Sequence, residues 1–424
     1  MHTYRDLFAV AEFRVLFVTQ CLTMIAGATS GLALGTITFA QTGSAVLTGL
    51  SMFGGPLVAL LTSTFLLSAS DVMRPRRALA LVAIVVCLMD LLQAVPGVPW
   101  PVRFGLLAVV WMVLSMSAGA GVALVADLLP DEAFVLGRST LNIAVGTMQI
   151  VGYGLGGLLL LVLSTSGLFL TAAACSALAA LLTRTGLGDH PPRATGPVVR
   201  RTREVNRSLL GSRVLRPLYL SSWVPNGLIV GCEALFIPYA GEKAGYLLAA
   251  TATGMLAGDI VVGRFVSVDT RDRLLDPLRY LLAVPFLGFW FVPSLPVAMA
   301  LGAVAAVGYA ASLPLQERMV AHSPADSRGQ VFGLRGTGLK VGQAVGALCA
   351  GIVADVMGVG PTAAARAMGV MAVASILVNL ALAPGLRRSA LTTATAAARA
   401  GAGRRAGRSS PPGRKPSGSL PGPR

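Results

Sequence analysis

The chain has 424 residues, of which 54% are hydrophobic and only 12% are charged. A soluble protein of this length needs a hydrated surface that so few charged residues cannot form, so the composition excludes a soluble globular protein and predicts an integral membrane protein. The formal net charge is +16, but we expect no nucleic-acid partner, because the basic residues border apolar stretches, where anionic lipid headgroups are nearer.

Three long stretches of the chain carry no charged residue. They run between residues 14 and 71, 138 and 184, and 279 and 317. Each is longer than the roughly 20 apolar residues that one membrane-spanning helix needs, so each is expected to hold two helices. Turn-forming residues at 41–44, 164–167 and 293–296 separate the two helices of each pair.

The same reasoning along the whole chain predicts an all-α integral membrane protein with twelve transmembrane helices. The expected spans lie near residues 15–39, 46–68, 78–95, 103–126, 140–163, 168–183, 217–239, 246–263, 278–292, 296–313, 336–356 and 364–383. Of the 34 Lys and Arg, all except Arg103, Lys243 and Arg366 fall in alternate gaps between these spans or near the adjoining span ends. Basic residues in short loops stay in the cytoplasm during insertion, which predicts that the N- and C-termini are cytoplasmic. Arg103 and Arg366 are expected to reach outward from their helices.

A basic linker divides the predicted spans into two sets. Residues 184–216 are Arg-rich and separate six spans from six. We therefore expect an N-terminal six-helix bundle over residues 1–183, a cytoplasmic linker, and a C-terminal six-helix bundle over residues 217–384. Residues 385–424 lack periodic apolar positions and are rich in Arg, Ala, Gly, Ser and Pro, which predicts a disordered basic cytoplasmic tail.

The two halves repeat several residue types at an offset of 190 positions. The matches are Arg74 with Arg264, Asp127 with Glu317, Arg138 with Arg328, Gly146 with Gly336, Gly152 with Gly342, and Gly156 with Gly346. Each pair falls at the same end or face of corresponding predicted helices, which favours a parallel repeat of two six-helix units.

No sequence pattern typical of a metal centre or an enzyme site is recognisable. The five cysteines lie in predicted spans without metal-ligand spacing, so we expect neither disulfides nor a metal ion. There is no phosphate-binding glycine loop and no nucleophile and base pair. We therefore expect no cofactor and no enzyme activity, and any transport would be driven by a gradient.

The loop after the second span carries a basic motif. Residues 71–77 read DVMRPRR, which resembles the Gly-x3-Asp-Arg-x-Gly-Arg-Arg loop of the major facilitator superfamily, with Asp71 and Arg76 at matching positions. Residues 231–241 (GCEALFIPYAG) and 258–266 (GDIVVGRFV) are also similar to bacterial members. The resemblance, closest to an actinobacterial efflux-like branch, implies two six-helix bundles in the bacterial cytoplasmic membrane.

A glycine-rich run in the fifth span adds to this resemblance. Residues 152–157 read GYGLGG, which is similar to the end of the superfamily's antiporter signature, with Tyr153 in place of a proline. The similarity implies export of a solute. Close approach of a neighbouring helix explains the same glycines without export.

Two acidic residues, Asp90 and Glu233, are expected inside the membrane, where charge is costly. Asp90 lies thirteen residues beyond Arg77, which is roughly 20 Å along a helix. An apolar environment disfavours the charged form of a carboxyl group, so either residue could take up a proton on one side and release it on the other. Either could instead form hydrogen bonds within the bundle and serve packing only.

Further polar residues are candidates for a substrate path and for a cytoplasmic gate. The path candidates are Gln20, Asn142, Gln149, Tyr153, Trp223 and Asn226. The gate candidates are Asp71, Arg76, Arg77, Asp127, Arg264 and Glu317. In the gate, Asp127 is expected to pair with Arg76 or Arg77, and Glu317 with Arg264, in one state of an alternating-access cycle. Hydrogen bonds between helices explain the path residues equally well, and anchoring of topology explains the charged ones.

The sequence therefore predicts a secondary active transporter that moves a small organic solute by alternating access. The resemblance implies proton-coupled efflux, with a small-molecule substrate, the proton and membrane lipid as partners. Two alternatives remain open: a proton-coupled uptake transporter, and a non-transporting membrane scaffold or sensor of the same fold.

Overall fold

The computed structural model describes residues 4–66, 74–190, 206–323 and 328–408, and the regular structure in these ranges is helical. The first half contains α1 (Tyr4–Ala9), α2 (Ala11–Thr42), α3 (Ala45–Phe53), α4 (Gly55–Leu66), α5 (Pro75–Gln93), α6 (Trp100–Leu128), α7 (Asp131–Leu159) and α8 (Thr165–Gly186). The second half contains α9 (Leu215–Ala234), α10 (Phe236–Ala240), α11 (Ala244–Ile260), α12 (Val268–Ala283), α13 (Leu295–Val307), α14 (Ser312–Ala321), α15 (Arg328–Met357) and α16 (Pro361–Arg408). Short 3-10 segments at Val284–Phe291 and Gly308–Ala311 continue α12 and α13.

Helices overlap each predicted span. Within the described ranges, seven helical stretches are long and apolar enough to cross a membrane, which are Ala11–Thr42, Thr165–Gly186, Leu215–Phe265, Asp269–Phe291, Leu295–Ala321, Gln330–Met357 and Pro361–Ser389. Two helices begin well before the predicted spans, α7 at Asp131 and α12 at Val268. Their first turns are charged. A hydropathy pattern identifies where the apolar part of a helix lies and therefore misses charged turns at its end.

The prediction of a disordered tail from residue 385 is wrong for its first part, because α16 continues through Pro384 to Arg408. The buried side chains of Leu386 and Ser389 pack against the second half. The Arg318 guanidinium donates to the Leu386 carbonyl at 2.9 Å and to Ser389 Oγ at 3.3 Å. This anchor and the Ala-rich composition favour a helix where low apolar periodicity alone predicted none. Residues 409–424 lie outside the described residues.

Glycines allow one pair of helices in each half to pack closely. In the second half, a Cβ at Gly346 on α15 would lie 1.9 Å from the carbonyl oxygen of Gly227 on α9. In the first half, a Cβ at Gly152 on α7 would lie 2.8 Å from the Ala28 side chain on α2, and one at Gly156 would lie 3.3 Å from Leu32. Both crossings depend on the absence of side chains at these glycines.

The two halves meet through two further close crossings. On α3 and α15, a Cβ at Gly49 would lie 3.0 Å from the Ala347 carbonyl oxygen. On α7 and α11, a Cβ at Gly245 would lie 2.0 Å from the Gly157 carbonyl oxygen. The α3 helix begins beside the 41–44 turn, α7 ends beside the 160–164 turn, and α11 begins beside the 241–243 turn. These contacts therefore lie toward one end of the molecule. We call it the turn end, and the opposite one, where α5, α9 and α15 begin, the basic end.

Arg103 does not reach outward as predicted. Its side chain is fully buried at the start of α6. The guanidinium donates to the carbonyl oxygens of Gln93 at 2.7 Å and Val98 at 3.0 Å, and to Gln93 Oε1 at 3.0 Å. Arg103 therefore satisfies the carbonyls left free where α5 ends, a role that hydropathy cannot distinguish from snorkelling.

Candidate functional site

Glu233 lies near the end of α9, where α9 faces the 308–311 segment. Its side chain is half-buried, and the Tyr309 hydroxyl donates to Glu233 Oε1 at 3.0 Å. No salt bridge to Glu233 occurs among the described residues. The carboxyl group is therefore held by a hydroxyl rather than by a cation, an arrangement that suits either protonation state.

Asp90 lies in the last turn of α5 and is 3% exposed. The Ser30 hydroxyl on α2 donates to Asp90 Oδ1 at 2.6 Å, whereas the buried Oδ2 has no hydrogen-bond partner among the described residues. A buried carboxylate without a cation is costly, and a proton on Oδ2 would remove that cost. Asp90 on α5 and Glu233 on α9 thus each accept a hydrogen bond from a hydroxyl group.

A polar pocket opens beside these elements in the second half. Its polar lining comes from Ser221, Ser222 and Asn226 on α9, Arg279 on α12, Tyr309, and Arg335 on α15. We call it the arginine pocket. Counted along α9, α15 and α12 from where they begin, its residues lie roughly 10 to 17 Å from the basic end. Tyr309 connects the arginine pocket to Glu233, because it lines the pocket and donates to that carboxyl group.

The structure connects the two path candidates on α9 with α15. Asn226 Oδ1 accepts a hydrogen bond from Gln343 Nε2 at 3.1 Å. The Trp223 indole donates to the Arg335 carbonyl at 3.0 Å, and its ring lies against Gly338, where a Cβ would be 2.2 Å away. Asn226 also lines the arginine pocket, whereas Trp223 joins two helices.

For most path candidates of the first half, the structure describes the backbone but not the side chain. Gln20 lies half-buried on α2. Asn142, Gln149 and Tyr153 lie on α7, and their side chains fall outside the described part of the structure. The backbone therefore brings three of these residues onto one helix without fixing a shared cavity with Gln20.

The gate candidates of the first half lie at the basic end. Asp71 is outside the described residues. Arg76 at the start of α5 donates to the Arg184 carbonyl at 2.5 Å, and Arg77 beside it is exposed. Asp127 is half-buried near the end of α6. The hydrogen bond of Arg76 thus runs to the end of α8 rather than to Asp127.

In this conformation Glu317 pairs with Arg271 and not with Arg264. Glu317 Oε1 accepts from Arg271 at 2.5 Å, and the Arg264 side chain is exposed. Arg271 is available because α12 begins ten residues before the predicted span, and its charged first turns reach α14. Beside this pair, the buried Arg318 donates to Asp272 at 2.6 Å. The two pairs connect α12 with α14 within the second half.

Sequence reasoning missed the contact that joins the two halves at the turn end. Asp355 near the end of α15 accepts hydrogen bonds from Ser44 Oγ at 2.8 Å, Ala45 N at 2.9 Å and Val46 N at 3.3 Å. The carboxylate therefore caps the N-terminus of α3, where free N–H groups and the helix dipole favour an anion. The sequence predicts a turn at residues 41–44, but no pattern along the chain identifies a partner 310 residues away.

The helical fold and its apolar spans are those of a polytopic membrane protein. No family model matches the chain. The multidrug efflux pump Tap of Mycolicibacterium fortuitum is 28% identical over 369 residues, which cover 80% of this chain and 88% of that protein.

Solved transporter structures share the fold. A bacterial homologue of the human lysosomal transporter Spinster, in an inward-facing and occupied conformation, aligns with a TM-score of 0.66 and 14% identity over 90% of this chain and 96% of its own. The nucleoside transporter NupG aligns with a TM-score of 0.67 and 12% identity over 88% and 99%. The sequence relative and the shared fold agree with the resemblance to the major facilitator superfamily, and the apolar helices are those of a multi-pass membrane protein.

Proposed function

We propose that this chain is a secondary active transporter that exports a small organic solute from the cytoplasm in exchange for protons. The observation that carries this proposal is the pair of carboxyl groups, Asp90 and Glu233, one in each half, each held by a hydroxyl and neither in a salt bridge with a described residue. Such groups can bind and release a proton without breaking an ion pair. The name of the relative from Mycolicibacterium fortuitum supports the direction of transport.

The proposed architecture has twelve transmembrane helices in two six-helix bundles, 1–183 and 217–384, joined by the cytoplasmic linker 184–216, with cytoplasmic termini. The glycines at the offset of 190 residues support it. Gly152 and Gly156 pack α7 on α2, and Gly342 and Gly346 pack α15 on α9. Equivalent residues thus perform equivalent packing in the two halves, as expected of a parallel repeat.

Alternating access is supported by where the halves touch. The close crossings of α3 with α15 and of α7 with α11 lie toward the turn end, as does the Asp355 cap. At the basic end, the described ion pairs of Arg74 with Asp189 and of Arg271 with Glu317 lie within single halves. We infer that this conformation is closed at the turn end and that the basic end opens to the cytoplasm.

Substitution of the paired carboxyl groups tests the proposed coupling. We expect Asp90→Asn and Glu233→Gln each to abolish accumulation of solute driven by a pH gradient, because an amide cannot carry the proton, while downhill equilibration continues. The measurement is uptake of ethidium, Nile red and carboxyfluorescein into proteoliposomes with an imposed pH gradient. The control is Asp269→Asn, at an exposed carboxylate near the start of α12. Full proton-driven accumulation by both variants would refute the coupling role.

A further inference from the structure

The arginine pocket carries more positive charge than its surroundings compensate. Arg279 is 2% exposed and donates to Asp276 Oδ1 at 2.8 Å and to the Asn379 carbonyl at 3.1 Å. Arg335 is half-buried, and none of the described carboxylates forms a salt bridge with it. Among the described residues, Asp276 is the one carboxylate in a salt bridge with either guanidinium group, so no carboxylate directly compensates Arg335.

Several polar atoms of the pocket have no partner. Arg279 Nε, Arg335 Nε and Ser221 Oγ are buried and make no hydrogen bond among the described residues. Ser221 is 4% exposed and Arg279 is 2% exposed, and both line the pocket. All three atoms can donate, and unsatisfied buried donors are costly. An acceptor with negative charge would satisfy the donors and the excess charge together.

The size of the pocket limits the ligand. Its volume is about 30 Å³, which accommodates one to a few small atoms rather than an organic molecule. The lining adds the Ser222 hydroxyl and the Asn226 amide, and Asn226 is itself a candidate of the substrate path. A carboxylate group or a halide ion matches this volume, and guanidinium groups favour carboxylates as hydrogen-bond acceptors.

We propose that the arginine pocket binds a small anionic group, held by Arg335 together with Arg279 and Ser221. The group is either a free small anion or the carboxylate end of the transported solute. The second possibility rests on the proposed transport function, whereas binding of the anion does not. Arg335 is the residue that provides the uncompensated charge, so its removal should abolish binding while the Arg279 and Asp276 pair remains.

Thermal stability of the purified protein in detergent tests this proposal without any transport. A ligand of the folded state raises Tm with the logarithm of its concentration above Kd. We expect sodium chloride, sodium formate or sodium acetate to raise Tm by a few degrees relative to sodium isethionate, a sulfonate salt, at equal ionic strength, and Arg335→Gln to abolish the rise. Arg216→Gln, at an exposed arginine of α9, is the matched control and should keep it.

The anions distinguish the source of the ligand. A rise with chloride and carboxylates alike supports a free small anion, and a rise with carboxylates only supports the carboxylate of a solute. If no anion raises Tm relative to isethionate, or if the rise persists in Arg335→Gln, the proposal is overturned. Should Arg335→Gln fold poorly, Ser221→Ala provides the second variant. It is expected to increase the apparent Kd for the anion severalfold, as measured from the dependence of Tm on anion concentration.

Discussion

Replacement of Gly346 by valine is expected to abolish folding of the second half. Even the first added carbon would lie 1.9 Å from the Gly227 carbonyl oxygen and 3.0 Å from Leu228 N. Backbone atoms cannot rotate away from it, so α9 and α15 would have to separate. Overpacked cores lose about 1 to 3 kcal/mol when side chains can still adjust, and this site allows less adjustment. Gly346→Ala should lower Tm, and Gly346→Val should yield aggregated protein in size-exclusion chromatography.

A matched substitution on the same helix separates the crossing from a general effect of glycine. Gly333 lies on α15, and a Cβ there would meet nothing within 4 Å. Gly333→Ala should leave Tm unchanged or raise it, because alanine favours a helix by about 1 kcal/mol over glycine. Equal Tm values for Gly346→Ala and Gly333→Ala would show that α9 and α15 do not pack as described.

Replacement of Asp355 by alanine is expected to open the turn end. The carboxylate accepts three hydrogen bonds across the two halves, two of them from the N-terminus of α3. A hydrogen bond to a charged group contributes about 1.5 to 3 kcal/mol net of competition with water. A net loss of about 1 to 3 kcal/mol shifts the balance between open and closed states by roughly five- to 150-fold. Transport should slow, since one of the two states would become scarce.

Spin labels across the turn end measure this shift. Ala40 at the end of α2 and Val359 beyond α15 are both exposed, and cysteines placed there, without the five native cysteines, would report the separation of the halves. Asp355→Ala should move the distance distribution to longer values, and Ser44→Ala should do so to a smaller extent. Asp269→Ala, at the basic end, is the control. An unchanged distribution in Asp355→Ala would show that the cap does not hold this end closed.

The helices could be predicted from the sequence because a bilayer requires long uncharged segments. The glycines at 152, 156, 342 and 346 were also predictable, since a small residue at a helix face permits close approach. The interruption between α3 and α4 at Gly54 was not, nor were the 3-10 segments that end α12 and α13. Such breaks depend on neighbouring helices, which a hydropathy pattern along one chain does not include.

The sequence predicted individual residues of the site but not the contacts between them. Asp90 and Glu233 stood out because charge is rare inside a membrane, but their partners Ser30 and Tyr309 did not, because hydroxyl groups are common there. Arg335 was counted among the basic loop residues, although the structure places it inside the apolar stretch Gln330–Met357. Contacts between distant helices decide such roles, and spacing along the chain cannot.

The direction of transport under a pH gradient distinguishes proton-coupled export from the alternatives. In everted membrane vesicles with an acidic interior, we expect the full-length protein to accumulate at least one of ethidium, Nile red and carboxyfluorescein, and a protonophore to abolish the accumulation. Right-side-out vesicles with an acidic exterior should exclude the same solute. Accumulation in right-side-out vesicles under that gradient, or accumulation that a protonophore leaves unchanged, would contradict proton-coupled export.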